Sequence, residues 1–181
     1  GGYVRRQLRR WTDAFRQTQV QDAPEMDRLI AWLDANGPSQ ATTALTHGDY
    51  RFGNLLIGAD GADLAAVPDW ELSTLGDPLC DLAYLAMPFR VAPDTAPLAM
   101  LAGLDPAAHG LPSEAALLDR YAAASGRSIP ADWPAYLAFA FFRCAAIAQG
   151  VRARQGPAAA RGACDLVRAL AQTGLRIARG G

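Results

Sequence analysis

The side chains best suited to chemistry in this sequence are two carboxylates and a carboxamide, those of Asp49, Asn54 and Asp69. Asp49 and Asn54 fall on one loop, five positions apart, and Asp69 follows a later apolar segment. Three converging side chains that carry oxygen suit a hard cation such as Mg²⁺, which takes oxygen ligands and keeps open positions for phosphate. The remaining carboxylate could then orient or deprotonate a hydroxyl group.

A β-hairpin is the element that must bring these three side chains together. Residues 55–57 form a short apolar strand, and residues 64–67 form the strand that returns. Between them, Asp60 and Gly61 predict a turn, because Gly tolerates the positive φ that a tight hairpin needs. The second strand ends just before Asp69, so the hairpin is predicted to return this carboxylate to the loop that carries the other two side chains.

The same stretch carries a joint pattern: H-G-D-x-x-x-x-N, then D-W-E, then G-D-P-x-x-D-L-A, within residues 46–84. This pattern resembles the aminoglycoside phosphotransferase and choline kinase superfamily, which are small-molecule kinases with a protein-kinase-like fold. Residues 48–51 and 70–78 are most similar to the branch found beside, or fused to, acyl-CoA dehydrogenases. Any one piece alone would be weak, whereas the joint pattern is specific.

The resemblance implies a role for each of the three side chains. Asp49 would be the catalytic-loop carboxylate that accepts or orients the proton of the acceptor, and Asn54 and Asp69 would hold Mg²⁺ and, with it, ATP. Pro68 departs from the family, which usually has an aliphatic residue before the metal-binding Asp. Because Pro removes a ladder donor and biases Val67 toward an extended shape, we expect a slightly displaced Asp69 and a changed metal affinity.

Other polar residues nearby are interpreted as support for the loop or the substrate. His47 is expected to hydrogen-bond backbone and orient the loop. Arg51 could pair with a substrate anion or phosphate, or form an ordinary surface ion pair. Glu71 could touch a metal or the loop, and Asp77 is expected to cap a helix. His109 lies in a loop rich in Pro and Gly and is expected to be exposed and silent.

The rest of the chain is predicted to be helical. Apolar spacing and stop signals predict helices over residues 3–19, 24–36, 77–88, 113–125, 133–154 and 157–178. Ser113 and Asp132 are the expected N-terminal caps of two of them. The helix over residues 133–154 is apolar nearly all round at its centre, which predicts a central core helix. Residues 88–112 contain five Pro and are expected to be mostly loop.

Bulk composition predicts one folded domain. The chain has 181 residues, 51% hydrophobic and 19% charged, with a net charge of −1, which gives no bulk attraction to nucleic acid or to an anionic membrane. Cys80, Cys144 and Cys164 form no C-x-x-C pair and are predicted to be reduced, buried and structural. The longest apolar run, residues 135–142, is short for a membrane span, and residues 1–6 lack a signal core, so we expect a cytoplasmic protein.

All 17 basic residues are Arg, so the strand Lys that holds the α- and β-phosphates in kinases of this fold has no counterpart here. No Gly-rich loop precedes His47 either. We therefore expect a mainly α fold with a small β-hairpin, the C-terminal lobe of a protein-kinase-like fold without its β-rich N-terminal lobe, cut from or lost by a longer chain. Residues 1–37 would be leading helices, 45–71 the catalytic loop and metal-binding hairpin, and 77–181 a helical subdomain.

The leading interpretation is that the parent protein is an ATP- and Mg²⁺-dependent kinase of a small-molecule hydroxyl. The branch implies a hydroxyacyl-CoA or hydroxy acid as acceptor, with an aminoglycoside as second choice. The lobe alone would have little activity, because half of the nucleotide clamp is absent. A second interpretation is a binding module whose exposed apolar surface meets the missing lobe or a second copy. A Mg²⁺-dependent hydrolase ranks below both, since no separate nucleophile is evident.

Overall fold

Six helices and four short strands make up the described part of the chain. The computed structural model describes residues 2–20, 22–39, 42–61, 63–91, 101, 104–156 and 164–180. The helices are α1 (Tyr3–Thr18), α2 (Pro24–Asn36), α3 (Leu79–Ala86), α4 (Glu114–Ser125), α5 (Trp133–Arg154) and α6 (Cys164–Ala178). The strands are β1 (Ala44–Thr46), β2 (Leu56–Ile57), β3 (Leu64–Ala66) and β4 (Thr74–Gly76). The predicted fold class, mainly helical with a small hairpin, is confirmed.

Local signals at the helix ends agree with the structure. α2 begins at Pro24, which suits a first helical turn because its missing N–H would have no partner there. α4 begins after Ser113, whose hydroxyl oxygen accepts a hydrogen bond from the Ala116 N–H at 3.1 Å. Gly126 ends α4 with a φ of 67°, the left-handed conformation that Gly adopts without steric cost. These ends were therefore predictable from single residues.

α5 forms the centre of the core, as predicted. It packs against α1, α2, α3 and α6, and its aromatic residues Tyr136, Phe139, Phe141 and Phe142 are at most 2% exposed. The expectation drawn from the short apolar run was wrong about length. The 22-residue helix is long and apolar enough to cross a membrane by those criteria alone. However, 67% of the window that qualifies is buried inside the protein, which is typical of a core helix.

The predicted side-chain cap at Asp132 was wrong. Its carboxylate makes no capping bond to α5; instead Oδ2 accepts hydrogen bonds from both the N–H and the hydroxyl of Ser39, each at 2.9 Å. Two features explain the difference. Asp132 has φ −85° and ψ 19°, outside the extended conformation of a usual cap, and Pro134 removes one donor from the first turn of α5. Asp132 thus ties the segment after α2 to the start of α5.

The predicted hairpin exists, and the chain also forms a second strand pair. β2 and β3 pair antiparallel, with Leu56 opposite Ala66, and Gly61 in the turn has a φ of 74°. β1 and β4, which were not predicted, also pair antiparallel. This second ladder joins the residues just before the catalytic loop to those just before α3. Each of its strands has three residues, too few for apolar alternation to reveal.

Both strand pairs present apolar side chains to solvent. Leu45 and Leu75 face each other across β1 and β4 and are 61% and 68% exposed. Ile57 and Leu64 face each other across β2 and β3 and are 59% and 50% exposed. We call these four residues the apolar sheet faces. They are unusual because a large apolar side chain normally gains about 1.5–3 kcal/mol from burial.

The predictions for the long loop, for the start of the last helix and for the cysteines can be compared with the structure only where it describes those residues. Single 3-10 turns at Met87–Phe89 and Ala107–His109 lie in the predicted loop, whose residues 92–100 and 102–103 fall outside the described part. The predicted start of the last helix, residues 157–163, also lies outside it. All three cysteines are outside disulfides, but only Cys80 is fully buried; the other two are partly buried, so the prediction of burial was too general.

Candidate active site

Asp49 and Asn54 meet directly, as the loop spacing predicts. A 3-10 turn at Phe52–Asn54 folds the loop back, and the Asn54 amide Nδ2 donates to the Asp49 carbonyl oxygen at 2.9 Å and to Asp49 Oδ2 at 2.7 Å. Because both partners are acceptors, the amide nitrogen must face Asp49 and the amide oxygen must point away from it. Asn54 is 3% exposed, so the contact is well fixed.

His47 links the two arms of the site. Its Nε2 donates to the Pro68 carbonyl at 2.7 Å, while its Nδ1 accepts from the Asp49 N–H at 3.2 Å. These partners require the proton on Nε2 and a lone pair on Nδ1. The ring is buried, and its centroid lies 4.7 Å from that of Trp70. One imidazole therefore separates the backbone of Asp49 from that of the residue before Asp69, in agreement with the predicted structural role.

Asp69 is reached by a strained backbone. It has a φ of 64°, the one positive φ among the described non-glycine residues, and its side chain is exposed. Left-handed backbone costs a residue with a Cβ about 1–2 kcal/mol. Such strain tends to occur where function fixes a side chain. The carbonyl of Pro68, the residue before Asp69, is held by His47 at 2.7 Å. The convergence of Asp69 with Asn54 around one ion stays a prediction.

Asp81 is a site residue that the sequence reasoning missed. Its carboxylate accepts hydrogen bonds from the His47 N–H at 2.6 Å and the Gly48 N–H at 3.0 Å. Asp81 lies in the first turn of α3, where a negative charge also suits the helix dipole. A signal was present, because Asp81 is the last acidic residue of the G-D-P-x-x-D pattern. The structure shows that this residue anchors the catalytic loop to α3.

Gly48 allows this loop to pass close to the segment after Asp69. It has a φ of 85°, and a Cβ at this position would lie 2.5 Å from the Leu72 carbonyl oxygen. Real Cβ atoms do not approach an oxygen so closely, so both the backbone conformation and the space require glycine. Each residue of the His-Gly-Asp sequence thus has its own role. His47 bridges two backbone segments, Gly48 allows the close approach to Leu72, and Asp49 supplies the carboxylate.

The other predicted support residues have distinct places. Arg51 Nε lies 3.3 Å from Asp49 Oδ2, so its ion pair is with the carboxylate predicted to be catalytic rather than elsewhere on the surface. Glu71 is exposed and lines a cavity beside Gly48. His109 is exposed in a 3-10 turn, as expected.

Asp77 has the contact expected of a helix cap and one more. Its Oδ1 accepts from the Leu79 N–H at 3.1 Å, and its Oδ2 accepts from the Tyr136 hydroxyl at 2.7 Å. Asp77 is 1% exposed, and burial raises the pKa of its carboxyl, although both hydrogen bonds act in the opposite direction. Asp77 therefore joins α3 to α5 and does not face the catalytic loop.

The donor chemistry of the predicted set fits Mg²⁺. The Asn54 amide oxygen receives no hydrogen bond from the described residues, and Asp69 is an exposed carboxylate, so both offer oxygen to a hard cation. The described part of the chain contains no group of three His, Cys, Asp or Glu side chains that could share an ion. The predicted set does not count as such a group, because it has two carboxylates, Asp49 and Asp69, and one carboxamide, Asn54. Its smaller negative charge suits a cation that also binds phosphate.

Comparison with known proteins agrees with this geometry. The model of the phosphotransferase enzyme family matches residues 1–139. The crystal structure of a candidate aminoglycoside phosphotransferase from Ralstonia eutropha superposes with a TM-score of 0.88 at 39% identity, over 99% of this chain and 56% of that chain. Human acyl-CoA dehydrogenase family member 11 is 36% identical over 98% of this chain and 24% of that protein.

A further relative, acyl-CoA dehydrogenase family member 10 of Mus musculus, is 39% identical over 85% of this chain and 14% of that protein. The chain thus spans a quarter or less of these two dehydrogenase-family relatives. The predicted resemblance, including the branch associated with acyl-CoA dehydrogenases, is confirmed. With the family model matching more than three quarters of its length and the His-Gly-Asp loop in place, this chain belongs to the phosphotransferase enzyme family.

Proposed function

We propose that this chain is the acceptor-side lobe of a kinase that transfers the γ-phosphoryl group of ATP to the hydroxyl of a small molecule. The observation that carries the proposal is the Asp49–Asn54 contact of 2.7 Å within a loop fixed by His47 and Asp81. Phosphoryl transfer needs positioning and charge neutralisation more than covalent help from the protein, and a carboxylate fixed in this way supplies the positioning.

Asp49 is the group that takes the proton of the acceptor. Its Oδ2 is engaged by Asn54 and Arg51, whereas its Oδ1 receives no hydrogen bond from the described residues. Oδ1 therefore accepts the hydroxyl proton as the acceptor oxygen bonds to the γ-phosphorus and the bond to the bridging oxygen of ADP breaks. Arg51 holds the carboxylate in place through their ion pair, in which its Nε lies 3.3 Å from Asp49 Oδ2.

Asn54 and Asp69 would hold Mg²⁺ through their free oxygens. When bound, the ion would neutralise charge on the ATP phosphates. The chain's own contribution there is to present one carboxamide oxygen and one carboxylate from two arms joined by His47. Because Asp69 carries the charge, its loss is expected to weaken metal binding more than the loss of Asn54.

Transfer of labelled phosphate from ATP, measured with Mg²⁺ and a panel of hydroxy acids and amino sugars, tests the proposal. We expect slow transfer by the 181-residue chain, reduced by about 10²–10⁴-fold in Asp49→Asn, since the base is lost while the size is kept. Asp165→Asn, a carboxylate that is 94% exposed, is the matched control and should leave the rate unchanged. Transfer that persists in Asp49→Asn would refute the assignment.

Metal binding gives a readout that does not depend on turnover. Mn²⁺ in place of Mg²⁺ should broaden NMR signals near Asn54 and Asp69, and Asp69→Asn should abolish the broadening. Fast turnover by the isolated chain, lost in Asp49→Ala, would instead show that the lobe needs no other part of a nucleotide clamp.

A second candidate function is a binding module without activity. The apolar sheet faces favour it, since exposed apolar side chains grouped on paired strands often mark a site where another surface docks. This candidate predicts association without phosphoryl transfer, so the two measurements together separate the candidates.

A further inference from the structure

A cavity of about 220 Å³ lies behind the catalytic loop, between α1 and the segment that follows Asp69. Gly48 of the catalytic loop, Glu71, and the side chains of Arg10, Trp11 and Arg143 line it. A water molecule occupies about 30 Å³, so the cavity has room for about seven waters, or for a small organic group. No role described above uses this cavity.

Arg143 is the unusual residue in it. The residue is 5% exposed, yet its guanidinium makes no hydrogen bond or ion pair with any described residue, and its Nε is buried without a partner. Only ring faces contact the charge: those of Tyr84 at 5.1 Å and Trp11 at 5.9 Å. Two ring faces offset only part of the cost of burying a cation, and a buried cation is normally paired with an anion. Among the residues that the structure describes, no carboxylate forms an ion pair with Arg143.

The rest of the lining also favours a negatively charged ligand. The Trp11 indole Nε1 is a second buried donor without a partner, and Arg10 lies over the same ring at 5.5 Å. Glu71 is the one acidic lining residue, and it is exposed and forms no ion pair with Arg143. The cavity therefore offers two cations and an unpaired N–H against one solvated carboxylate.

The cavity belongs to the neighbourhood of the catalytic carboxylate. Gly48, which lines it, precedes Asp49 directly. The partly buried thiol of Cys144 and the phenol of Tyr84 lie close enough to both Asp49 and Arg143 to respond to each charge. Burial is the main cause that brings the pKa of Cys144 to about 11; the hydrogen bond with Tyr84 and the charge of Arg143 act against this rise, and the charge of Asp49 adds to it. Tyr84 shows the same two opposing influences on its pKa. Arg143 and Asp49 thus flank the same pair of side chains.

We propose that the Arg143 cavity binds the acid group of the acceptor, a carboxylate or a phosphate, while the hydroxyl of the same molecule reaches Asp49. That the bound molecule is the phosphoryl acceptor rests on the proposed function, whereas the binding of an anion at Arg143 does not. It names the acceptor class as a hydroxy acid or a phosphate-bearing hydroxy compound. A polycationic amino sugar would place like charges against Arg143 and Arg10.

Side-chain NMR signals of the cavity residues provide the test. Sodium 3-hydroxybutanoate, sodium phosphate, butane-1,3-diol and kanamycin are titrated without ATP, while the indole N–H of Trp11 and the guanidinium N–H of Arg143 are observed. We expect one or both anions to shift these signals with saturation, and the diol and kanamycin to leave them unmoved. The hydroxy acid distinguishes a carboxylate source from a phosphate source.

Variants decide whether the binding is local. Arg143→Met should weaken anion binding by about tenfold or more, because a charge-assisted hydrogen bond is lost. Arg168→Met, an exposed arginine, is the matched control and should bind as the parent does. Should Arg143→Met fail to fold, Arg143→Lys, which keeps the charge, and Trp11→Phe, which removes one donor, should each weaken binding by a smaller factor.

The outcomes are separable from those of the proposed function. Asp49→Asn should lose phosphoryl transfer but keep anion binding. Absence of shifts with either anion, equal shifts in Arg143→Met, or tighter binding of kanamycin than of the acids would each overturn the anion site. Intact transfer by Asp49→Asn would overturn the kinase assignment and leave the anion site standing.

Discussion

His47 illustrates how one side chain can organise a site without taking part in chemistry. Each ring nitrogen is committed, one to Pro68 and one to the Asp49 backbone, and the main-chain N–H is held by Asp81. A free base would need one nitrogen available to a substrate. Its contribution is therefore positional: it sets the distance between the loop that carries Asp49 and the strand end that carries Asp69.

Loss of the Asp81 charge should loosen this arrangement. In Asp81→Asn one acceptor oxygen is replaced by a donor, so one of the two loop N–H groups faces another N–H. We expect a loss of about 1–3 kcal/mol in the free energy of unfolding. We also expect a fall of about tenfold to a hundredfold in transfer rate, since misplacing a catalytic group by about 1 Å can cost about a hundredfold. Denaturant unfolding and the labelled-phosphate assay measure the two effects.

The exposed Asp165→Asn variant serves as the control for charge alone. Equal stability and rate in Asp81→Asn and the parent chain would show that the loop does not depend on α3.

Substitution of two glycines by alanine distinguishes the cost of a strained backbone from the cost of a steric clash. Gly48 and Gly61 both have positive φ, 85° and 74°, but only a Cβ at position 48 meets other atoms. Gly61→Ala should therefore cost about 1–2 kcal/mol from backbone conformation alone. Gly48→Ala should cost more and should also reduce transfer, because the loop must move away from Leu72. Thermal unfolding of the two variants side by side checks the difference, and equal losses would contradict the collision.

At the scale of elements, the Asp77–Tyr136 hydrogen bond joins the first turn of α3 to the core helix α5. Tyr136→Phe leaves Asp77 Oδ2 buried without that donor. We expect a loss of about 1–2 kcal/mol in the free energy of unfolding, measured by denaturant titration. Tyr121→Phe, a partly buried phenol elsewhere, is the control for removal of a hydroxyl.

The same contact predicts a pH dependence. Because burial raises the folded-state pKa of Asp77 above its ordinary value of 3.8, its contribution to stability is fully present below pH 3.8 and is lost as pH rises through the folded-state value. Asp77→Asn should lack this decline. Tyr136→Phe removes a bond that favours the ionised form, so its decline should extend to higher pH. Unfolding free energies measured from pH 3.5 to pH 7 test the sign; a parent chain that gains stability over this window relative to Asp77→Asn would contradict it.

The predictability of the elements follows from how their stability arises. α2 and α4 carry their own start and stop residues, Pro24, Ser113 and Gly126, so one sequence suffices to locate them. β1 and β4 are three residues each and are stabilised by pairing with segments 28 residues apart, as between Thr46 and Thr74, which no local pattern contains. Asp132 failed as a cap for the same reason, since its partner Ser39 is 93 residues away.

The same distinction between local and distant contacts applies to the candidate site. Asp49 and Asn54 meet within one loop, so their spacing fixed the contact. The G-D-P-x-x-D pattern singles out Asp81 but does not name its partners, which lie 33 and 34 residues earlier. Arg143 was invisible for a related reason: a lone Arg in an apolar helix gives no sign of whether it is paired.

At the scale of the whole molecule, the apolar sheet faces determine behaviour in solution. With Leu45, Ile57, Leu64 and Leu75 half or more exposed, the chain should self-associate as concentration rises. Leu45→Glu with Leu75→Glu should reduce association without loss of stability, because neither side chain is part of the core. Val20→Glu, at a position 44% exposed on another part of the surface, is the control. Sedimentation velocity across a concentration series measures this, and a strict monomer at high concentration would contradict it.

The ladder between β1 and β4 has one more consequence. It closes the base of a loop that begins at His47 and ends at Ser73, and together with the hydrogen bonds to Asp81 it attaches every proposed ligand and proton acceptor to the helical body. Insertions at the tip of that loop, around Gly61, would leave the pairing of β1 with β4 unchanged. The length of the hairpin can therefore vary without changing the spacing between the proposed ligands and the proposed proton acceptor.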